Sequence, residues 1–281
     1  MLTNADYGAH AVLDRPGCRL HYWTRGPGDS APLVVMLHGA SIDHRVWAPQ
    51  VDVFAKAFRV LTLDLRGHGL SRPAGDYSFG AIVDDCLALL DAVGADRAIF
   101  MGLSMGGNVA QEVVFRSPDR VEALICLDCT CNTLVPRLDR WTLPIYEVLF
   151  GPMVYAYPLQ PLLKAIADRT CLSPDGRRYV YEASAALTKR ELVTVMTSLM
   201  AALHHEPHYR VTIPELLLHG SDDKLGNIRK LMPAWRRRDP RSTFVVVPKA
   251  GHCANFDNPD FFNNTVIDWL DRAAASDGIG I

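Results

Sequence analysis

Gly102-Leu103-Ser104-Met105-Gly106 puts a serine between two glycines where an apolar run ends and helix-compatible spacing begins. In that setting a G-x-S-x-G segment turns sharply from strand into helix and presents the serine hydroxyl at the apex. The glycines have a steric reason. Strand and helix approach so closely that side chains at Gly102 and Gly106 would clash, and Gly107 extends the tolerance. A hydroxyl is a poor nucleophile at neutral pH, so Ser104 needs a general base, and that base needs an orienting group. Of ten histidines, His252 alone follows the last strand-like run and precedes the last helical stretch, in Pro248-Lys249-Ala250-Gly251-His252. A carboxylate accepting its N–H would fix the tautomer and stabilise the imidazolium formed during attack. Three are candidates: Asp222 and Asp223 in His219-Gly220-Ser221-Asp222-Asp223, and Asp128 at the end of the preceding strand. Charge developing on a carbonyl oxygen calls for backbone donors, expected from Met105, next after the serine, and from Ala40 in His38-Gly39-Ala40-Ser41. The His38 side chain is expected to hydrogen-bond beneath that loop rather than to act as a second base.

Such groups must be held at one edge of a scaffold. Short runs rich in Val, Ile and Leu at 33–37, 59–63, 97–103, 121–127, 213–219 and 243–247 alternate with amphipathic stretches at 47–57, 79–93, 105–116, 228–237 and 259–274. That alternation predicts an α/β fold: a mostly parallel, doubly wound sheet with flanking helices. Residues 11–23, folded about Arg15-Pro16-Gly17, read as an antiparallel hairpin at the sheet edge. One interval breaks the pattern, because about 85 residues separate the fourth of these runs from the fifth, where about 2 to 6 are usual. The core is therefore expected at 1–129 and 213–281, and 130–212 as an inserted helical lid. The lid's first half is apolar and aromatic (Trp141, Ile145, Tyr146, Leu149, Phe150, Met153, Tyr155, Tyr157), and packing among its own helices should account for most of these. Its second half, 179–205, reads as helical. An insertion after a sheet strand is placed to roof a site at the strands' C-terminal ends.

Composition narrows the partners. The 281 residues are 49% hydrophobic and 21% charged with a formal net charge of -2, enough for one large core and without the clustered cations that nucleic acid requires. Arg236-Arg237-Arg238, the densest basic run, reads as the solvated end of a surface helix. No apolar run approaches a membrane span, and Met1 to His10 lacks the pattern of a secretory signal. Seven irregularly spaced cysteines suit reduced thiols in a cytoplasm. No metal site is expected: Cys129-Thr130-Cys131 lacks a second ligand pair, and Pro207 breaks the helical spacing of His204-His205-Glu206-Pro207-His208.

Taken together, His38-Gly39 with Trp47, Asp64-Leu65-Arg66-Gly67-His68-Gly69-Leu70-Ser71, Gly102 to Gly107, Gly220 to Asp223 and Gly251-His252 resemble the α/β-hydrolase superfamily in the order nucleophile, acid, histidine. The resemblance runs from about residue 33 to 270. It implies Asp223 as the acid, third after Gly220, with Asp128 as the alternative position, and gives the 64–71 segment a turn-shaping role without catalysis. It also implies a cofactor-free enzyme acting on a small-molecule carboxylic ester or lactone. Gly102 to Gly107, His252-Cys253-Ala254-Asn255, Pro259 and Phe262-Asn263 are similar to 3-oxoadipate enol-lactonases in particular. Ser104 stands where epoxide hydrolases and haloalkane dehalogenases carry aspartate, which excludes those chemistries. Three alternatives have their own signatures: a slow-turnover ligand receptor of the same fold, a halide-dependent peroxidase side activity, and a hydrolase of ring-cleavage carbon–carbon bonds, against which Cys253 counts because those enzymes usually have Trp after the histidine. The aromatic-rich lid points to an apolar or aromatic substrate portion. Oligomeric state leaves no trace in the sequence.

Overall fold

Five apolar segments bury both of their faces, which a strand can do only in the middle of a sheet covered on both sides. They are β3 (Leu33–Leu37), β4 (Arg59–Leu63), β5 (Ala98–Leu103), β6 (Val121–Leu127) and β7 (Glu215–Gly220), in which every residue except Arg59 and Glu122 is buried. The computed structural model describes residues 4–135 and 139–277. β1 (Ala9–Arg15), β2 (Cys18–Arg25) and β8 (Thr243–Val247) complete an eight-stranded sheet in the order β1-β2-β4-β3-β5-β6-β7-β8. β1 with β2 and β2 with β4 are antiparallel, and all other pairs are parallel. The hairpin closes on Pro16-Gly17 with Arg15 opposite Cys18 and Gly17 at φ 70°, the proline-then-glycine order of a type II turn.

Alternation along β3 sorts the core. Val34 and Met36 join the cluster beneath α1 (Ala48–Phe54) and the closing helix, whereas Val35 and Leu37 join that beneath α2 (Phe79–Ala92) and α3 (Met105–Arg116). Among the described residues four helices lie between β6 and β7: α4 (Asp139–Ala156), α5 (Leu159–Thr170), α6 (Pro174–Ala185) and α7 (Lys189–Met200). The helical stretch expected over 179–205 is broken at Thr188. Its side chain accepts from the Glu191 N–H while Glu191 accepts from the Thr188 N–H, a capping box that starts a new helix. After β7 come α8 (Ile228–Arg238), a short α9 (Ala254–Asp257) and α10 (Pro259–Asp277).

The basic run at the end of α8 departs from expectation. Arg237 is exposed, but the Arg238 side chain is only 9% exposed, with its guanidinium on Asp239 (2.7 Å) and Thr133 Oγ1 (2.9 Å). It is a partnered cation tucked between α8 and the segment after β6. Among the described residues no helix is long and apolar enough to cross a membrane.

Candidate active site

Five loops leave the C-terminal ends of neighbouring strands β3, β5, β6, β7 and β8, and they bring Ala40, Ser104, Asp128, Asp223 and His252 to one edge of the sheet. Ser104 sits between β5 and α3 with φ 52° and ψ −118°, a backbone conformation that L-residues rarely hold and that persists only where the surroundings enforce it. Its N–H donates to the Leu127 carbonyl (2.8 Å). The glycines behave as the sequence predicts. A Cβ on Gly102 would stand 2.2 Å from the Gly106 oxygen, and one on Gly106 would stand 2.2 Å from the Leu37 oxygen. Both obstacles are backbone atoms, so nothing can rotate aside. Gly102→Ala is therefore expected to destabilise the fold by at least the upper part of the overpacking range, about 1–3 kcal/mol. Urea unfolding of the variant against wild type measures this, and an unchanged midpoint would contradict the close approach.

His252 follows β8, and its Nδ1 lies 3.0 Å from Asp223 Oδ2. A carboxylate only accepts, so this contact keeps the proton on Nδ1 and leaves Nε2 as the basic nitrogen. Both side chains are buried, and Asp223 Oδ1 also accepts the Leu225 N–H (2.8 Å). Burial works to raise the Asp223 pKa, but the facing His252 and the Leu225 amide outweigh it and hold the group below the usual carboxylate range. Asp128 is fully buried behind this pair. Its two oxygens accept the Gly220 N–H (2.8 Å) and the Ala254 N–H (3.2 Å). Burial and the neighbouring Asp223 charge push its pKa well above the ordinary range. Asp222 is exposed and accepts from the Ser221 hydroxyl (2.7 Å). Of the three candidate acids, Asp223 is the one paired with the ring.

The loop after β3 passes at van der Waals distance from the serine: a Cβ on Gly39 would stand 3.4 Å from Ser104 Cβ. Ala40 is half-buried on this loop, and Met105 opens α3, where the first N–H groups of a helix have no partner within it. Several side chains pin the loop. His38 Nε2 accepts the Leu65 N–H (2.9 Å), which puts the ring proton on Nδ1, facing the Gly39 oxygen (2.7 Å). His68 Nε2 accepts the Ser41 N–H (3.2 Å). Burial lowers both imidazole pKa values, that of His68 to about 3, so both rings are neutral.

Other contributors left no trace in the sequence. Ser184 Oγ donates to the Ser41 carbonyl (3.1 Å), and the Tyr179 hydroxyl donates to the Asp43 carbonyl (2.8 Å) across 136 residues of chain. Asp257 gathers three amides: Leu172 (2.9 Å) and Ser173 (2.9 Å) from the segment after α5, and Gly251 (2.9 Å) next to His252. No local spacing announces contacts between elements so far apart.

Ser104 and His252 border a cavity of about 430 Å³ whose walls include Phe150, Leu162, Ile166, Met196 and Leu199 from α4, α5 and α7. Fewer of the early apolar residues of the 130–212 segment pack inward than expected. Phe150, Met153 and Tyr157 line the cavity, but Met153 and Tyr157, like Ile145, Leu149 and Tyr155, are more than half exposed. The side chains of Trp141 and Tyr146 lie outside the described residues. Among the described residues two side-chain groups converge closely enough to bind a cation, Asp43–His44–Asp64 and Asp128–Asp223–His252. Their atoms are already engaged with one another, as in the 2.7 Å His44–Asp64 contact.

Known proteins resemble this chain in sequence and in fold. A pimeloyl-[acyl-carrier protein] methyl ester esterase of Pectobacterium carotovorum is 28% identical over 256 residues, spanning 88% of this chain and 96% of that protein. The 3-oxoadipate enol-lactonase 1 of Acinetobacter baylyi is 36% identical over 99 residues, 35% of this chain and 37% of that one. The crystal structure of an enol-lactonase from Burkholderia xenovorans superposes with a TM-score of 0.80 at 26% identity, covering 93% of this chain and all of that one (100%). The model of the alpha/beta hydrolase family matches residues 34–265, from β3 into α10. With that span running from the loop beside Ser104 to beyond His252, the chain belongs to the alpha/beta hydrolase family.

Proposed function

We propose that this hydrolase cleaves a carboxylic ester or lactone through a Ser104–His252–Asp223 triad and an acyl-enzyme. The observation that carries the proposal is the 3.0 Å His252–Asp223 contact beside a serine held in a strained turn on the same cavity. His252 Nε2 takes the Ser104 proton as Oγ attacks the carbonyl carbon. The Met105 and Ala40 amides hold the oxyanion, and the pinned β3 loop keeps its donor in place before charge develops. His252 then gives its proton to the leaving alkoxide, and a water activated by the same nitrogen releases the acid. Asp223 stays ionised and stabilises the imidazolium; Asp128 stands behind it, held by the Gly220 and Ala254 amides.

The helices of 130–212 serve as the lid, and the apolar walls suit an apolar or aromatic portion of a small-molecule substrate. The seven cysteines, all free and buried, suit a reducing cytoplasm. The test is intact-mass labelling with a fluorophosphonate, followed by turnover on a panel of esters and lactones. One adduct per chain that disappears in Ser104→Ala is expected, with many turnovers per labelled site. An adduct that persists in Ser104→Ala overturns the assignment, and a single acylation that stalls overturns turnover as the role.

A further inference from the structure

α5 turns one stripe to the cavity. Leu162, Ala165, Ile166 and Arg169 line it at positions i, i+3, i+4 and i+7, so the stripe is apolar until its last member. Arg169 is the next-to-last residue of α5, beside the loop that carries Asp223. Its Nη2 lies 3.4 Å from the Lys224 carbonyl oxygen, and Leu225 shares the cavity wall. Among the described residues it supplies the one permanent positive charge on that wall, and no carboxylate among them pairs with it. The adjacent Asp168 turns instead to Lys164 (2.6 Å) and Arg177 (3.9 Å). Guanidinium groups elsewhere around the site are matched: Arg45 by Asp43 (2.6 Å), Arg66 by Asp85 (2.8 Å), Arg72 by Glu191 (2.9 Å). Arg169 is itself exposed at the rim of the apolar cavity, and beside the Nη2 that faces Lys224 its remaining N–H donors can take a carboxylate two-pronged.

We propose that Arg169 is an anion subsite, and that the preferred substrate is an ester or lactone whose apolar body carries a carboxylate away from the scissile carbonyl. This rests on Ser104 being the nucleophile. Specificity then comes from two features of one cavity: apolar walls that take the body of the substrate, and a single cation that selects its charged end. Loss of the guanidinium should raise KM for the anion and leave kcat and the neutral substrate alone, because Arg169 does not touch the reacting atoms.

The experiment compares chain-matched pairs on the full-length enzyme. In the acyl arm, p-nitrophenyl hemi-esters of dicarboxylic acids are set against p-nitrophenyl esters of the corresponding monocarboxylic acids. In the alcohol arm, 4-carboxyphenyl acetate is set against phenyl acetate. The arm that responds tells which portion carries the charge. Wild type should favour the anionic member of one pair. Arg169→Gln should lower kcat/KM for that member about fivefold, the upper worth of a solvent-exposed ion pair, through KM and with the neutral member within about twofold. Arg169→Lys should recover part of the loss. Equal loss on both members of a pair, or no anionic preference in wild type in either arm, overturns the subsite; Arg169 is then only a cation at the C-terminus of α5, and its variant lowers Tm without changing selectivity. No turnover on any ester together with no fluorophosphonate adduct overturns the Ser104 assignment itself, and the subsite with it.

Discussion

His252→Ala is expected to lower kcat on any ester substrate by about a millionfold, with little change in KM, because the members of a nucleophile–base unit fail together. Without the imidazole the Ser104 hydroxyl must lose its proton to water, and the leaving alkoxide must depart without a proton donor. No nearby ring can take over. His38 and His68 are fully buried, and each has its Nε2 occupied by a backbone amide. The same reasoning makes Ser104→Ala/His252→Ala no worse than either single variant. Steady-state rates of the three proteins on one chromogenic ester measure this, and a His252→Ala enzyme within a hundredfold of wild type would point to a different base.

Asp223→Asn is expected to cost about 10⁴-fold in kcat, since an amide in place of the carboxylate leaves the ring free to take the wrong tautomer. Asp128→Asn provides the contrast. The neutral amide is the same size and its oxygen can accept one of the two N–H groups, Gly220 or Ala254, that Asp128 now holds. Its expected cost is about tenfold, the loss of roughly one hydrogen bond in a buried network. Rates for the two variants decide between the carboxyl groups: if Asp128→Asn were the severe one and Asp223→Asn the mild one, their roles would be exchanged.

What the sequence disclosed is what local physics encodes. β3 through β7 are legible because strands buried on both faces must be continuously apolar, and Gly102 and Gly106 because a close crossing of strand and helix tolerates no side chain. His252 is legible from its place after the last strand. Which carboxylate meets its ring is less so, because Asp222 and Asp223 follow the same glycine and differ only in the direction the turn sends them, one to Ser221 and one to the ring. The break before α7 was readable from Thr188 and Glu191, whose spacing is that of a capping box. The pinning of the β3 loop by Tyr179 and Ser184, the burial of Arg238 and the apolar stripe ending at Arg169 depend on how distant elements meet, and no local pattern records that.

The Asp257 carboxylate bears on cooperativity. Because one side chain satisfies amides of Leu172, Ser173 and Gly251, neither the segment leaving α5 nor the segment entering His252 can separate from the other without stranding donors at about 1 kcal/mol or more apiece. The two stretches therefore share an opening equilibrium, as a single foldon drawn from both sides of the chain's long interruption. Divided by unfolding unit rather than by position along the polypeptide, the base of the inserted helices belongs with the strand end that carries the histidine.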